Sequence, residues 1–286
     1  MTDLPTGLSA LADRYDVLLC DVWGVIHNGV ESFPEACPAL VNWREQRGPV
    51  ILISNAPRPS VDVVAQLDGL GVPREAWSAF VTSGDATRPL LAARAPGPVW
   101  AIGPERTEVL YDGLGLDFAD VDRAAFITVT GPYDDETEVP EDYRERLTIA
   151  AERNLLLICA NPDRVVQRGS RLIYCGGALA DLYETLGGEV LMAGKPYAPI
   201  YDLALAEAET LLGQPVDRSR VLCIGDGVIT DIKGADDQNL ACLFIAKGIH
   251  GEAALGADGK LDHTKVEGLL AAEGVGATHA MGDLVW

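Results

Sequence analysis

Short, continuous apolar runs recur along the whole chain, and their spacing is the feature that most constrains the fold. The predicted strands are 15–21, 49–55, 99–103, 124–130, 155–161, 219–226 and 240–248. Stretches with helical features separate them, and Pro59, Pro140 and Pro199 mark three helix starts. Runs that are apolar throughout, rather than alternating, are typical of parallel strands buried on both faces. The pattern predicts an α/β protein with a doubly wound parallel sheet.

Polar residues cluster just past the ends of three predicted strands, at Asp21, at Ser54 and Asn55, and at Asp226. In open α/β sheets ligands bind at this edge, near the point where strand order reverses. The stretch 97–188 contributes strands with less chemistry at their ends. A second α/β unit, 97–188, inserted into a first unit formed by 1–96 and 189–286, would account for this.

The charge of the chain excludes some partners. With a formal net charge of −21 and a pI near 4.4, the 286-residue chain lacks the basic surface that nucleic-acid binding requires. The same charge means that a phosphorylated substrate has to be held by a local cation, a metal ion or backbone N–H groups. The composition therefore predicts no nucleic-acid partner and sets a condition on any phosphate site.

Cysteine usage and the N-terminus bear on the compartment. The six cysteines include no C-x-x-C pair and mostly sit in apolar runs, which favours buried thiols over disulfides. The N-terminus lacks the basic start and apolar core of a secretory signal. No apolar run approaches the roughly 20 residues that a membrane-spanning helix needs. These observations predict a cytoplasmic protein without a membrane partner.

Four segments carry the candidate chemistry: "LLCDVWG" with Asp21, "LISNAPR" with Ser54, "AGKPYAP" with Lys195, and "CIGDGVITD" with Asp226 and Asp231. Singly, the first three have a commoner structural explanation, such as a turn, a helix cap or a solvated lysine, whereas the last segment is the most informative. Two carboxylates spaced as in the last segment can share one hard cation with oxygen ligands. The complete ordered set indicates a site for phosphate and metal.

With these residues the chain resembles the haloacid dehalogenase-like (HAD) superfamily, specifically class IIA, and is similar to its 4-nitrophenylphosphatases and ribonucleotide monophosphatases. The resemblance covers nearly the whole chain. It also includes "TSG" (82–84), "ANPD" (160–163) and the stretch 176–205, in which a Gly-Gly-Ala helix leads into Gly-Lys-Pro.

The resemblance implies a hydrolase with two-step phosphoryl transfer. Asp21 would attack phosphorus and form an aspartyl phosphate that water hydrolyses, while Lys195 and Ser54 would stabilise charge on the phosphoryl oxygens. It further implies a Mg²⁺ cofactor held by Asp21, the backbone carbonyl of Trp23 and Asp226. Asp231 would either bind the ion directly or contact one of its ligands.

The resemblance also implies a Rossmann-like core domain formed by 1–96 and 189–286 and a large inserted α/β cap domain, 97–188, that lies over the substrate. In some members of the family the cap forms a homodimer. We expect the partner to be a small phosphorylated metabolite. The candidate substrate-binding residues are Trp23, Asn55, Arg58, Tyr133, Asp163 and Arg164, with Arg168 and Arg171 as further cations. For each single arginine, a solvated loop charge is the competing interpretation.

Trp23 departs from the family pattern, because HAD phosphatases carry a second aspartate two residues after the nucleophile. That aspartate protonates the leaving group, and an indole cannot do so near neutral pH. Four explanations stay open: a good leaving group, another donor such as His27, a different reaction with the same nucleophile, or binding without turnover. The leading prediction is a Mg²⁺-dependent phosphatase with weakened general acid catalysis, and the alternative is a non-catalytic phosphometabolite-binding protein.

Overall fold

The computed structural model describes residues 2–168 and 171–286, without the side chains of Gln167, Arg168 and Glu252. The predicted substrate contact of Arg168 therefore lies outside the described residues. Twelve strands occur in the described part: β1 (Val17–Asp21), β2 (Val50–Ser54), β3 (Ala79–Thr82), β4 (Val99–Ile102), β5 (Phe126–Val129), β6 (Leu156–Cys159), β7 (Val165–Arg168), β8 (Arg171–Tyr174), β9 (Glu189–Met192), β10 (Val221–Gly225), β11 (Ala241–Ile245) and β12 (His279–Met281).

The described α-helices alternate with these strands. They are α1 (Ala36–Gln46), α2 (Ser60–Gly69), α3 (Ser83–Ala92), α4 (Arg144–Glu152), α5 (Gly176–Thr185), α6 (Ala198–Leu212), α7 (Lys233–Asp237) and α8 (His263–Ala272). Short 3-10 segments lie at Leu8–Leu11, Arg74–Ala76, Glu105–Tyr111, Pro140–Tyr143, Arg218–Arg220 and Gly251–Ala254, and one π-helical turn lies at Val228–Ile232.

The larger sheet has six strands in the order β12-β11-β10-β1-β2-β3. β1 pairs in parallel with β2 on one side and with β10 on the other. Both β1 and β10 are buried along their whole length, as the continuous apolar runs predicted. Strand order reverses between β1 and β10, so the sheet is doubly wound. In such sheets ligands bind at the carboxyl ends of the strands on either side of the reversal. The predicted fold class is confirmed.

The second sheet has four parallel strands in the order β4-β5-β6-β9 and is covered on both faces. Ile127 and Leu157 belong to a core cluster with residues of α4 and α5. Their strand neighbours Phe126 and Ile158 point the other way and cluster with Leu91 of α3. A separate antiparallel hairpin is formed by β7 and β8.

All seven predicted strands are present, each shorter than predicted at one or both ends. The sequence pattern does not predict β3, β9, β12 or the β7–β8 hairpin, whose residues it places in a loop. Each of these strands has three or four residues, too few for a run to stand out. The predicted helix start at Pro140 opens a 3-10 segment, and α4 follows it directly.

The chain forms two compact units. The first consists of Met1–Ser54, Val64–Val81 and Tyr201–Trp286, and the second of Asn55–Val63 and Thr82–Ile200. The second unit thus contains 97–188 and also the segments 55–63, 82–96 and 189–200, which are predicted to belong to the core domain. The exact boundaries of the core and cap domains stay a prediction.

Two expectations from composition can be compared with the structure. All six cysteines are buried thiols outside any disulfide, as predicted. Among the helices that the structure describes, none combines the length and apolarity that crossing a membrane requires.

Candidate active site

Three carboxylates meet at the point where strand order reverses. Asp21 is the last residue of β1, Asp226 directly follows β10, and Asp231 lies in the π-helical turn after it. All three are buried, and one ligand oxygen from each lies within 4.8 Å of the others. The first unit therefore brings together the three side chains that the sequence predicted as metal ligands.

This donor set fits a divalent cation. Buried carboxylates so close to one another repel, and a cation shared among them compensates the repulsion. Oxygen-only ligands favour hard ions such as Mg²⁺ and Ca²⁺. Asp21, Asp226 and Asp231 are thus arranged so that they could hold a divalent cation, whereas the fourth predicted ligand, the Trp23 carbonyl, stays a prediction.

Two glycines allow the chain to close around Asp226. A Cβ added to Gly24, whose φ is +86°, would lie 2.0 Å from Asp226 Oδ2, and one added to Gly248 would lie 2.1 Å from the same atom. The backbone N–H of Ile249 donates to this oxygen at 2.6 Å. The segment after β11 therefore orients Asp226, a role that nothing in the sequence pattern indicated.

The π-helical turn directs Asp231 back to the end of β10. Ile232 N donates to Gly227 O at 3.1 Å, five residues earlier. Asp231 Oδ2 accepts the Gly227 N–H at 3.1 Å. A Cβ at Gly225 would lie 2.2 Å from Asp231 Cβ, so this approach needs glycine. Single π-helical turns are often found at functional sites, and here the turn places a carboxylate.

Trp23 is half-buried and held by two neighbours. Its indole meets the imidazole of His27 edge-to-face, with ring centroids 5.3 Å apart. A Cβ at Gly29, whose φ is +86°, would lie 2.3 Å from the Trp23 ring. The loop after β1 is therefore shaped to accommodate the indole.

His27 is suited to a structural role in this loop. Its side chain is 2% exposed, and burial lowers its pKa to about 4. Nδ1 accepts the Gly29 N–H at 3.0 Å, so Nε2 carries the proton of the neutral ring. A ring that stays neutral near pH 7 is a poor proton donor, and this burial does not support His27 as the missing acid.

Three residues predicted for the phosphate and substrate side meet in the second unit. Lys195 is 3% exposed, and its backbone N–H donates to Asn55 Oδ1 at 2.7 Å. Asn55 Nδ2 donates to Lys195 O at 3.1 Å and to Asp163 Oδ1 at 2.8 Å. The side-chain amide of Asn55 thus forms its hydrogen bonds with Lys195 and Asp163, and its predicted contact with substrate stays a prediction.

Tyr133 has protein partners for its hydroxyl. The hydroxyl donates to Ala101 O at 2.9 Å and accepts from Trp100 Nε1 at 3.0 Å. Its predicted contact with substrate stays a prediction.

The loop arginines also have protein partners. Arg164 forms a two-pronged ion pair with Asp181 of α5, at 2.8 and 3.1 Å. Arg171 Nη2 donates to Glu136 O at 2.9 Å. These partners favour the interpretation of Arg164 and Arg171 as surface charges.

Ser54 and Arg58 lie at and after the end of β2. Both are half-buried. Burial, with Arg106 as a further cause, lowers the pKa of Arg58, and its backbone carbonyl accepts the Thr82 hydroxyl at 2.7 Å. A half-buried guanidinium near a second arginine is suited to an anion, so the prediction for Arg58 stands open to test.

Models of two related families match the chain. Residues 18–117 match the haloacid dehalogenase-like hydrolase family, and residues 192–272 match the HAD-hydrolase-like family. The first match contains Asp21 and Ser54, and the second contains Lys195, Asp226 and Asp231.

Two relatives have activities in their names. The 5'-nucleotidase YutF of Bacillus subtilis is 24% identical over 237 residues, which are 82% of this chain and 88% of that protein. A glycerol phosphate phosphatase of Mycobacterium tuberculosis, crystallised with calcium, is 25% identical with a TM-score of 0.64 and 86% and 69% of the two chains covered. The predicted enzyme class, a phosphoric monoester hydrolase, agrees with both names.

A third relative establishes the family. The crystal structure of a haloacid dehalogenase-like hydrolase from Brucella suis 1330 shares 48% identity and a TM-score of 0.87, covering 99% of this chain and all of that one. As the sequence motifs predicted, the chain belongs to the haloacid dehalogenase-like hydrolase family, class IIA.

Proposed function

We propose that this protein is a Mg²⁺-dependent phosphatase of a small phosphorylated metabolite, with Asp21 as the nucleophile. The observation that carries the proposal is the group of three buried carboxylates, Asp21, Asp226 and Asp231, at the point where strand order reverses. The named activities of two relatives, on a nucleotide and on glycerol phosphate, support a phosphate ester as substrate.

The chemistry follows in two steps. An Asp21 carboxylate oxygen forms a bond to phosphorus, and the bond between phosphorus and the leaving-group oxygen breaks with its electron pair on that oxygen. Water then attacks phosphorus, the bond to Asp21 breaks, and inorganic phosphate and the free carboxylate result. Lys195 and Ser54 are proposed to stabilise charge on the phosphoryl oxygens. When bound, Mg²⁺ supplies positive charge that offsets the negative charge of nucleophile and phosphate.

The residues around Asp21 restrict the leaving group. Position 23 carries an indole with only an N–H donor, and His27 is neutral near pH 7 because its pKa is about 4. General acid catalysis contributes typically about 10²–10⁴-fold to rate. We therefore propose substrates whose leaving group departs without a proton, such as aryl or acyl phosphates, and slow cleavage of alkyl phosphates.

The nucleophile is tested with Asp21→Asn. We expect turnover of an aryl phosphate to be lost while circular dichroism and the unfolding midpoint stay those of a folded protein, because the amide is a poor nucleophile of the same shape. Asp236→Asn, the same change on an exposed position of α7, is the matched control and keeps its activity. Retained turnover in Asp21→Asn contradicts the mechanism.

Trp23 also favours a second candidate, a phosphometabolite-binding protein without turnover. A screen of acyl, aryl and alkyl phosphates with Mg²⁺ separates the two. Turnover of the first two classes supports the phosphatase, whereas saturable binding without turnover of any class supports the binding protein. The homodimer through the cap and the cytoplasmic location stay predictions, and light scattering tests the first.

A further inference from the structure

Hydrogen bonds in the second unit join three segments that lie far apart in the sequence: the end of β2, the loop after β6 and the loop after β9. Asn55 is the centre of this arrangement and is 4% exposed. Its Oδ1 accepts from Lys195 N, and its Nδ2 donates to Lys195 O. One side chain thus binds both backbone groups of a single residue, as a neighbouring strand would.

The third bond decides the orientation of the Asn55 amide. A primary amide has two N–H groups, and those of Asn55 go to Lys195 O and Asp163 Oδ1. A carboxylate only accepts, so Asp163 requires the nitrogen of the amide on its side. The oxygen is then directed to the Lys195 N–H. We call this arrangement of Asn55, Asp163 and the Lys195 backbone the Asn55 clamp.

The backbone next to Lys195 leaves space for the Asn55 side chain. A Cβ at Gly194 would lie 2.5 Å from Asn55 Oδ1, so only glycine allows the amide to reach Lys195. Asp163 is itself anchored, since its N–H donates to Asn161 Oδ1 at 3.2 Å and its carbonyl accepts the Gly177 N–H of α5 at 3.0 Å. The clamp therefore connects Lys195 to the start of α5.

We infer that Asn55 and Asp163 are positioning residues that fix the backbone of Lys195, with Asp163 acting through the Asn55 amide. A lysine side chain has four rotatable bonds, and holding its backbone on both sides reduces the space its ammonium can reach. The catalytic consequence rests on the proposed function, in which Lys195 stabilises the phosphoryl oxygens. The clamp itself is independent of that function.

The test is a cycle of three variants, Asn55→Asp, Asp163→Asn and the double variant. Asn55→Asp removes both donors and brings a second carboxylate against Asp163. We expect the Lys195 backbone amide to lose at least about tenfold in hydrogen-exchange protection, because its acceptor is pushed away. In the double variant an amide again faces a carboxylate, and protection recovers at least about threefold. Asp181→Asn, a matched change on α5, leaves the protection unchanged.

Kinetics with 4-nitrophenyl phosphate supply the second measurement. Asn55→Asp is expected to lower kcat at least about tenfold with KM changed less than threefold, and the double variant to regain part of the loss. If the single and double variants protect Lys195 equally, the clamp is wrong. If Lys195 loses protection in Asn55→Asp and regains it in the double variant, but the unmodified protein hydrolyses no phosphate ester, the clamp stands and the proposed function fails. If the unmodified protein hydrolyses 4-nitrophenyl phosphate but the Lys195 protection does not recover in the double variant, the proposed function stands and the clamp is wrong.

Discussion

Trp23 is predicted to occupy the position at which the family's pattern has a second aspartate. Its indole is held between the His27 ring and Gly29, two residues of the same short loop after β1. Gly29 has positive φ and no space for a side chain, so the loop accommodates the ring through its backbone. Because this loop is shaped around the indole, we interpret the lack of a general acid at position 23 as part of how the site works.

Replacing Trp23 with aspartate tests this interpretation. Trp23→Asp is expected to raise kcat/KM for alkyl phosphates by about 10–100-fold, part of the gain that a general acid gives, and to change aryl phosphates much less. Steady-state kinetics on both classes measure the effect. Trp23→Phe, which removes bulk without adding an acid, should show no such gain. An alkyl-phosphate rate that stays the same in a folded Trp23→Asp variant argues against a missing acid.

His27 makes stability depend on pH. Its pKa is about 4 in the folded protein and near 6.5 when unfolded, so between these values the unfolded chain binds a proton that the folded chain does not. The free energy of unfolding therefore falls as the pH falls from 6.5 to 4, by up to about 3 kcal/mol from this residue.

The measurement is urea unfolding at several pH values in this window, for the unmodified protein and His27→Asn. Asparagine keeps an acceptor for the Gly29 N–H but does not titrate, so we expect a shallower pH dependence. His250 and His279, whose pKa values burial also lowers, are present in both proteins and cancel in the comparison. Parallel pH profiles would falsify the assignment.

At the scale of elements, the proposed metal site depends on how tightly loops approach the ends of β1, β10 and β11. Gly248→Ala places a methyl 2.1 Å from Asp226 Oδ2, so the carboxylate has to move. We expect at least about tenfold weaker Mg²⁺ binding by calorimetry. The control is Gly268→Ala in α8, where no atom lies within 4 Å of an added Cβ. It should leave Mg²⁺ binding unchanged and stabilise the protein by about 0.5–1 kcal/mol. Equal Mg²⁺ affinities for the two variants would rule out the role given to Gly248.

At the scale of the whole molecule, the net charge of −21 complicates any test of metal binding. Every salt screens the self-repulsion of such a chain, and Mg²⁺ does so without needing a site. A cation that binds only the folded state at 100 times its dissociation constant adds about 2.7 kcal/mol. We therefore expect Mg²⁺ to raise Tm above the value in NaCl of equal ionic strength. In Asp226→Asn the two Tm values should be equal. Equal Tm values in the unmodified protein would contradict the proposed metal site.

A strand could be predicted when its own residues carry a recognisable sequence pattern. β1 and β10 were predicted because a buried central strand leaves a continuous apolar run with a polar residue at its end. β9 was missed because it has four residues and begins at Glu189, although the Gly-Lys-Pro segment just after it was recognised. The hairpin of β7 and β8 was missed because its exposed side chains, such as Leu172, carry no burial pattern.

For the site, the sequence motifs and the family resemblance that they carry were enough to name the candidate nucleophile and metal ligands. Asp21 and Asp226 lie at the ends of predicted strands, and Asp231 belongs to the motif that follows the second of them. Only the tertiary structure decided the contacts of the other candidate residues. It assigned the Asn55 amide to Lys195 and Asp163, the Tyr133 hydroxyl to Trp100 and Ala101, and a neutral state to His27. Such contacts join residues distant in sequence, and a pKa depends on burial, so neither leaves a periodic pattern along the chain.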